Sequence, residues 1–279
     1  MSSRGSLVIT GTSTGIGRAC ALMAVRAGYR VYAGVRTQKD MDFWGSEGMQ
    51  GLVPVLLDVT KHKSIQQVVE RVESDGPHGN FALVNNAGLY VAGPLETQPL
   101  EDAERLMNVN VLGLLATTRA FLPLLRSTKG VLVNISSISG LVALPGVSYY
   151  AATKFATEAI TDSLRVELAP FGVRCVAIEP GNIQTAIWEK VQVLDKQKRA
   201  QGSGEVEELY GPLLRYIHKY NAEAGGIPAE RVGEVLLKIL NSSSPRPRYL
   251  VGMDARVVSW LRWFPTGVRD WLLRRLFRL

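Results

Sequence analysis

Cysteine and histidine are scarce: the 279 residues hold two cysteines and three histidines. Cys20 and Cys175 cannot build a disulfide framework, and no zinc-ligand spacing emerges, so no metal is expected. Both cysteines lie in apolar stretches and read as buried thiols of a reducing compartment. Long hydrophobic runs are lacking too. No stretch reaches the roughly 18 consecutive apolar residues of a membrane-spanning helix. Leu7–Ile9 is too short for the core of a signal peptide. Charged residues make up only 20% of the chain against 46% apolar ones, which excludes a disordered polypeptide. The expectation is a soluble, cytoplasmic protein long enough to bury roughly three quarters of its unfolded surface.

A dispersed basic surface is also missing, although the net charge is +7. Residues 256–279 contain Arg256, Arg262, Arg269, Arg274, Arg275 and Arg278 against Asp270, a net of +5. The remaining residues carry only +2 between them, so no nucleic-acid partner is expected.

What is there is an alternation of short Val/Ile/Leu-rich strands with helical patterns and no internal repeat. Strands are expected at Ser6–Thr10, Arg30–Val35, Leu52–Leu57, Phe81–Val84, Val131–Ile135, Val173–Ile178 and Tyr249–Val251. Helices are expected at Gly17–Ala27, Ser64–Glu73, Leu100–Leu125, Tyr149–Pro170 and Ala229–Asn241. Such strands suit a parallel sheet covered on both faces. The fold class is therefore α/β, a single doubly wound domain of about seven parallel strands. Residues 1–255 would form the main unit, with 182–228 as a charge-rich insert that is either functional or disordered, and 256–279 as a basic tail.

Three patterns carry chemistry. Thr10-Gly11-Thr12-Ser13-Thr14-Gly15-Ile16-Gly17 joins the first strand to the first helix. A pyrophosphate needs backbone N–H groups at a helix N-terminus and no side chains in its way, which glycines at 11, 15 and 17 supply. The second strand then ends at Val35-Arg36 without a carboxylate, whereas an acidic residue there would bond a free ribose 2′-hydroxyl. That favours NADP(H), with Arg36 facing a 2′-phosphate; NAD(H) stays open, because nothing basic stands in the glycine loop itself. Third, Tyr150 has Lys154 one helical turn away, whereas four residues beyond Tyr149 lies Thr153. A free phenol titrates near about 10, and a catalytic one should lie near neutrality, a shift that a close ammonium and a positive nicotinamide could supply.

With these motifs the chain resembles the short-chain dehydrogenase/reductase family from about Ser6 to Gly252. The family's glycine loop is Thr10–Gly17, its N-N-A-G is Asn85–Gly88 and its Y-x-x-x-K is Tyr150–Lys154. Its serine thirteen residues before the tyrosine is Ser137, its helix-borne asparagine Asn110, and its P-G-x-x-x-T is Pro180–Thr185. The resemblance implies a Rossmann-type fold and four catalytic residues. Tyr150 would be the general acid/base and Lys154 its activator. Ser137 would hold the substrate oxygen, and Asn110 would organise a water chain to Lys154. It further implies a dinucleotide held by Gly11, Ser13, Thr14, Gly15, Ile16 and Gly17. Asp58 and Val59 would lie at the adenine, and Asn86, Ala87 and Gly88 beneath the adenosine ribose. Tyr150, Lys154, Pro180, Gly181, Ile183 and Thr185 would meet the nicotinamide end.

Softer signals, among them Glu179-Pro180-Gly181-Asn182 and 27 residues beyond Gly252, are similar to retinol, 17β-hydroxysteroid and 3-hydroxybutyrate dehydrogenase-like members. An apolar substrate wall is expected from Leu141, Val142, Leu144, Trp188, Val191 and Leu214. The expected reaction interconverts a hydrophobic, steroid- or retinoid-like alcohol with its ketone or aldehyde. The alternatives are an NAD-linked hydroxy-acid dehydrogenase, a 3-oxoacyl reductase, or a cofactor-sensing protein without turnover. A homodimer or homotetramer through the two long helices is implied by the resemblance. In the tail, Val268, Trp271, Leu272, Leu276 and Leu279 fall on one side of a helix Val268–Leu279. Twelve helical residues span about 18 Å and cannot cross a core of about 30 Å. Peripheral membrane contact, a cover over the substrate cleft and a subunit contact are its three readings.

Overall fold

The computed structural model of the chain describes residues 4–77, 79–184, 204–222 and 226–277. Its strands are β1 (Gly5–Ile9), β2 (Arg30–Val35), β3 (Leu52–Leu56), β4 (Asn80–Asn85), β5 (Val131–Ile135), β6 (Arg174–Pro180), β7 (Ile183–Gln184), β8 (Ile227–Pro228) and β9 (Arg248–Val251). Seven of them form one parallel sheet in the order β3-β2-β1-β4-β5-β6-β9, while β7 and β8 pair separately. Strand order reverses between β1 and β4, which opens a crevice at the carboxyl ends of those strands. The helices, among the described residues, are α1 (Gly15–Arg26), α2 (Gln38–Ser46), α3 (His62–Asp75), α4 (Leu100–Met107), α5 (Leu114–Ser127), α6 (Ser148–Glu167), α7 (Gly204–Ala222), α8 (Glu230–Leu240), α9 (Met253–Ser259) and α10 (Thr266–Phe277).

The strands are mostly apolar because both faces of the sheet are covered. Leu7 and Ile9 of β1 enter one layer with Ala21, Val232 and Leu236 from α1 and α8. Val8 between them enters the other, with Val69, Phe121 and Leu125 from α3 and α5. Each such fully buried side chain contributes about 1.5–3 kcal/mol. Cys20 lies in the first layer and Cys175 in the second, both as free thiols. Burial pushes both thiols up to about 12.

A polar rung crosses this core. Asn85 donates to Thr118 Oγ1 at 2.8 Å and to Asn134 Oδ1 at 2.9 Å, and Asn134 donates to Thr161 Oγ1 at 2.8 Å. The chain of amides and hydroxyls fastens α5 and α6 to β4 and β5. Each bond contributes about 1 kcal/mol net, but a buried partner left unpaired costs about 1–3 kcal/mol.

The structure departs from the sequence reading in four places. The run 100–125 is not one regular helix: a π turn over Asn108–Gly113 separates α4 from α5. Gly113 there is pressed against Val59, a Cβ on it lying 2.7 Å from Val59 Cγ2. The run Leu100–Ser127 is long and apolar enough to cross a membrane, but half of its apolar stretch is buried, as in a core helix. Second, α2 has no counterpart in the sequence reading. Its residues are mostly polar, and one buried side chain, Trp44, anchors it. Third, the insert contains the regular helix α7, and its two ends are pinned together by the β7–β8 pairing of Ile183 with Ile227 and Gln184 with Pro228. Fourth, the tail helix carries a second, inward apolar stripe that the sequence reading did not name. Leu273 and Phe277 are buried against Leu213 and Ile217 of α7, while Val268, Trp271 and Leu276 of the expected face are exposed. The helix carries two apolar stripes, and the inner one is selected by α7. Leu279 lies outside the described residues.

Candidate active site

The crevice at the β1/β4 switch is a cleft of about 500 Å³. Gly11, Ser13, Thr14, Gly15, Ile16 and Gly17 line one end of it, with Arg36, Asp58, Val59, Asn86, Ala87 and Gly88. A tight bond set shapes this end. Thr10 Oγ1 accepts from the N–H groups of Asn86 and Ala87 at 2.9 and 2.8 Å. The Asn86 amide donates to the carbonyls of Thr10 and Gly11, both at 2.9 Å. Gly11 takes φ +70°, and a Cβ on Gly17 would collide with the Gly11 carbonyl and the Asn86 amide. The closed loop thus leaves glycines without side chains at the N-terminus of α1, where they line the cleft. A dinucleotide pyrophosphate would fit such a cradle.

At the adenosine end, burial works against the charge of Asp58. Two hydrogen bonds from Thr60, with Lys61 and Arg36 nearby, nonetheless hold its carboxyl below the usual range. Asp40, which the sequence reading passed over, accepts from Thr37 Oγ1 at 2.7 Å and from Ser13 Oγ at 3.3 Å. It thereby ties α2 to the glycine loop.

At the other end Ser137, Tyr150 and Lys154 line the cleft together. Ser137 follows β5 and caps a short 3-10 turn, its Oγ accepting from Ser139 N–H at 3.1 Å. Burial pushes the Tyr150 hydroxyl up to about 12, against a hydrogen bond from Ser137 that lowers it. Lys154 Nζ donates to the Ile135 carbonyl at 2.9 Å and lies 5.6 Å from the centre of the Tyr150 ring. Burial lowers Lys154 to about 8, with Glu158 acting in the opposite direction. The sequence reading asks the lysine and a positive nicotinamide together to bring the phenol near neutrality, and the protein's own groups supply only the first of these.

Asn110 stands apart from the cleft wall. Placed by the π turn, it is 3% exposed, accepts from Leu89 N–H at 2.8 Å and donates to the Leu89 carbonyl at 2.9 Å and Thr153 Oγ1 at 3.0 Å. Its side chain fastens the segment after β4 to α6, one residue before Lys154.

Pro180, Gly181 and Ile183 line the cleft after β6. Asp254, at the start of α9, accepts from Asn182 N–H at 2.6 Å and so holds that loop to the beginning of the tail. Of the expected substrate wall, Leu144 lines the cleft. Val142 is fully buried, and Leu141 and Leu214 are not part of the wall. Thr185, Trp188 and Val191 lie outside the described residues.

Residues that the sequence reading missed complete the mouth: Tyr90, Pro145, Tyr216, Ile217 and Phe277. Tyr90 packs edge-on against Tyr150, ring centres 4.8 Å apart, and Tyr216 meets Phe277 at 3.9 Å. The Tyr210 hydroxyl donates to Glu96 at 2.6 Å, linking α7 to the opposite bank. Tyr90, two residues past the N-N-A-G motif, was within reach of a sequence argument; Phe277 was not, because only the tertiary path of the tail brings it to the mouth.

A doubly wound sheet with a glycine cradle at its switch point defines a dinucleotide-binding α/β protein. The pattern described as short chain dehydrogenase matches residues 6–195. The chain belongs to that family of oxidoreductases, in its retinol and 17β-hydroxysteroid dehydrogenase-like branch. It is 38% identical over 96% of its length to Short-chain dehydrogenase/reductase family 9C member 7 of Bos taurus, covering 88% of that protein. It is 35% identical to Retinol dehydrogenase 16 of Mus musculus, over 95% of this chain and 86% of the relative. With 17-beta-hydroxysteroid dehydrogenase type 6 of Bos taurus it shares 34% identity over 96% and 87%. The solved short chain dehydrogenase of Burkholderia cenocepacia in complex with NADP superposes with a TM-score of 0.75 at 26% identity, over 98% of this chain and 99% of that one.

Proposed function

We propose that this protein is an NADP(H)-preferring dehydrogenase/reductase that interconverts a hydrophobic alcohol and its ketone or aldehyde, steroid- or retinoid-like. The observation that carries the reading is the placement of Tyr150, bonded by Ser137 and one helical turn from Lys154, in the cleft that the glycine cradle opens into. The dinucleotide, when bound, gives or takes the hydride. The chain's own groups do the rest. Tyr150 donates its hydroxyl proton to a carbonyl oxygen in reduction and takes it back in oxidation. Ser137 Oγ–H steadies the same oxygen as negative charge develops on it. The Lys154 ammonium stabilises the phenolate left behind, and the positive charge of an oxidised nicotinamide would supply the remaining shift from about 12. Leu144, Tyr216, Ile217 and Phe277 exclude water from the mouth. The relatives named for retinol and steroid dehydrogenation support a lipid-like substrate. The test is a panel of steroid, retinoid and short keto-acid substrates followed by NADPH absorbance; turnover confined to the keto acids would overturn the substrate class.

For the cofactor, Arg36 and Ser13 line the adenosine end. Arg36→Gln is expected to raise KM for NADPH about 10–100-fold, the worth of one charge-assisted bond of about 1.5–3 kcal/mol, with NADH nearly unaffected. Equal losses with both cofactors would remove the assignment to Arg36.

A homo-oligomer is supported by the outward apolar side chains Met107, Leu112, Leu115 and Phe155 on the α4–α5 run and α6. Peripheral membrane contact is supported by the outer face of the tail. Trp260, Trp263 and Trp271 are exposed, and Arg262 and Arg275 stack on Trp263 and Trp271 at 4.8 Å each. Aromatic rings beside arginines suit the interface of an anionic bilayer. The full chain should float with anionic phospholipid vesicles, and the triple variant W260S/W263S/W271S should not. Equal flotation would remove the membrane reading.

A further inference from the structure

Behind Lys154 lies a charge cluster that the proposed reaction does not use. Arg248 of β9 meets Glu158 at 3.0 Å and Asp162 at 2.6 Å, both on α6, and Glu179 of β6 at 3.0 Å. Arg165 also meets Asp162, at 2.6 Å, so that carboxylate has a cation of its own. Glu158 and Glu179 are 5% and 1% exposed and face one guanidinium between them. One guanidinium therefore serves two buried carboxyls.

Lys154 stands one turn before Glu158 on the same side of α6 and is itself only 7% exposed. The turn between them is close-packed: a Cβ on Gly140 would lie 2.8 Å from the Lys154 carbonyl and 3.1 Å from Glu158 Cγ. Glu158 Oε1 is buried with no hydrogen-bond partner among the described residues, as is the neighbouring Ser136 Oγ. The carboxylate is thus met by Arg248 on one side, and on the other Lys154, its Nζ on the Ile135 carbonyl at 2.9 Å, stands one helical turn away.

We propose that Glu158, oriented by Arg248, is a positioning residue that keeps the buried Lys154 an ammonium and thereby sets the alkaline limit of the Tyr150 reaction. The inference rests on the reading of Tyr150 and Lys154 given above. The direction of the lysine's titration agrees, since burial lowers it and Glu158 raises it. The groups that face the pair are Tyr150 and Asp162 from α6, Ser137 from the turn after β5, Glu179 from β6 and Arg248 from β9. Arg262 of the tail acts on Glu179. Glu179, pushed up to about 7 chiefly by burial and then by Glu158, keeps a proton over part of the neutral range, which leaves Arg248 to Glu158.

Carbonyl reduction needs Tyr150 with its proton and Lys154 with its charge, so the falling alkaline limb of kcat/KM reports the loss of the lysine's proton. Removing a neighbouring negative charge lowers that pKa. In Glu158→Gln the limb should move to lower pH by about one unit, while Glu158→Asp should keep it near the wild-type position. A purely structural role would lower the rate without moving the limb. If Glu158→Gln does not fold, the double variant E158Q/R248M takes the unpaired guanidinium away with its partner, and its limb should also fall below the wild type, by less. An unmoved limb in a folded variant, or a limb moved as far by Glu158→Asp, overturns the proposal. A wild-type protein with no NAD(P)H-linked turnover would remove the Tyr150 reading itself, and this inference with it.

Discussion

Tyr150→Phe should lower carbonyl reduction by about 10²–10⁴-fold, the usual contribution of one positioned acid or base. The phenyl ring keeps the edge-on contact with Tyr90 at 4.8 Å, so the cleft wall stays in place and only the hydroxyl is lost. Dinucleotide affinity, followed by calorimetry, should be nearly unchanged, because the cradle at Gly11–Gly17 is untouched. A variant that loses affinity and turnover together would assign Tyr150 to binding. A variant that keeps its turnover would end the acid/base assignment.

The second large effect concerns the cradle itself. Gly17→Val should abolish measurable dinucleotide binding, because a side chain there meets the Gly11 carbonyl and the Asn86 amide that hold the loop closed. Overpacking of this kind also destabilises, by about 1–3 kcal/mol. The two effects separate in a melting experiment. Wild-type protein with NADPH at about 100 times its Kd gains about 2.7 kcal/mol of stability, whereas the variant melts early and gains nothing on addition. A retained ligand-induced rise would show that the pyrophosphate sits elsewhere.

The sheet was legible because its central strands are buried on both faces and so carry short runs rich in Val, Ile, Leu and Ala. β2 and β5 carry the ends read from sequence, Arg30–Val35 and Val131–Ile135. Ser137, Tyr150 and Lys154 were legible as a spaced set, and they line one cleft. What was not legible has a common cause. The π turn at Asn108–Gly113 preserves helical periodicity in the sequence while widening the backbone by local packing against Val59. The inward face of α10 depends on where α7 lies, and α7 belongs to a segment read from sequence as a functional or disordered insert. The cleft-lining residues Tyr216 and Phe277 are close only in space.

Cys20 and Cys175, placed on opposite sides of the sheet, make the molecule a two-channel recorder of its own breathing. With both thiols pushed up to about 12 and walled off, alkylating reagents and peroxide meet no thiolate in the native fold. Capture of Cys20 marks an excursion of the α1–α8 layer, and capture of Cys175 one of the α3–α5 layer. A catalyst that trades electrons through a dinucleotide thus keeps its own sulfur out of that traffic.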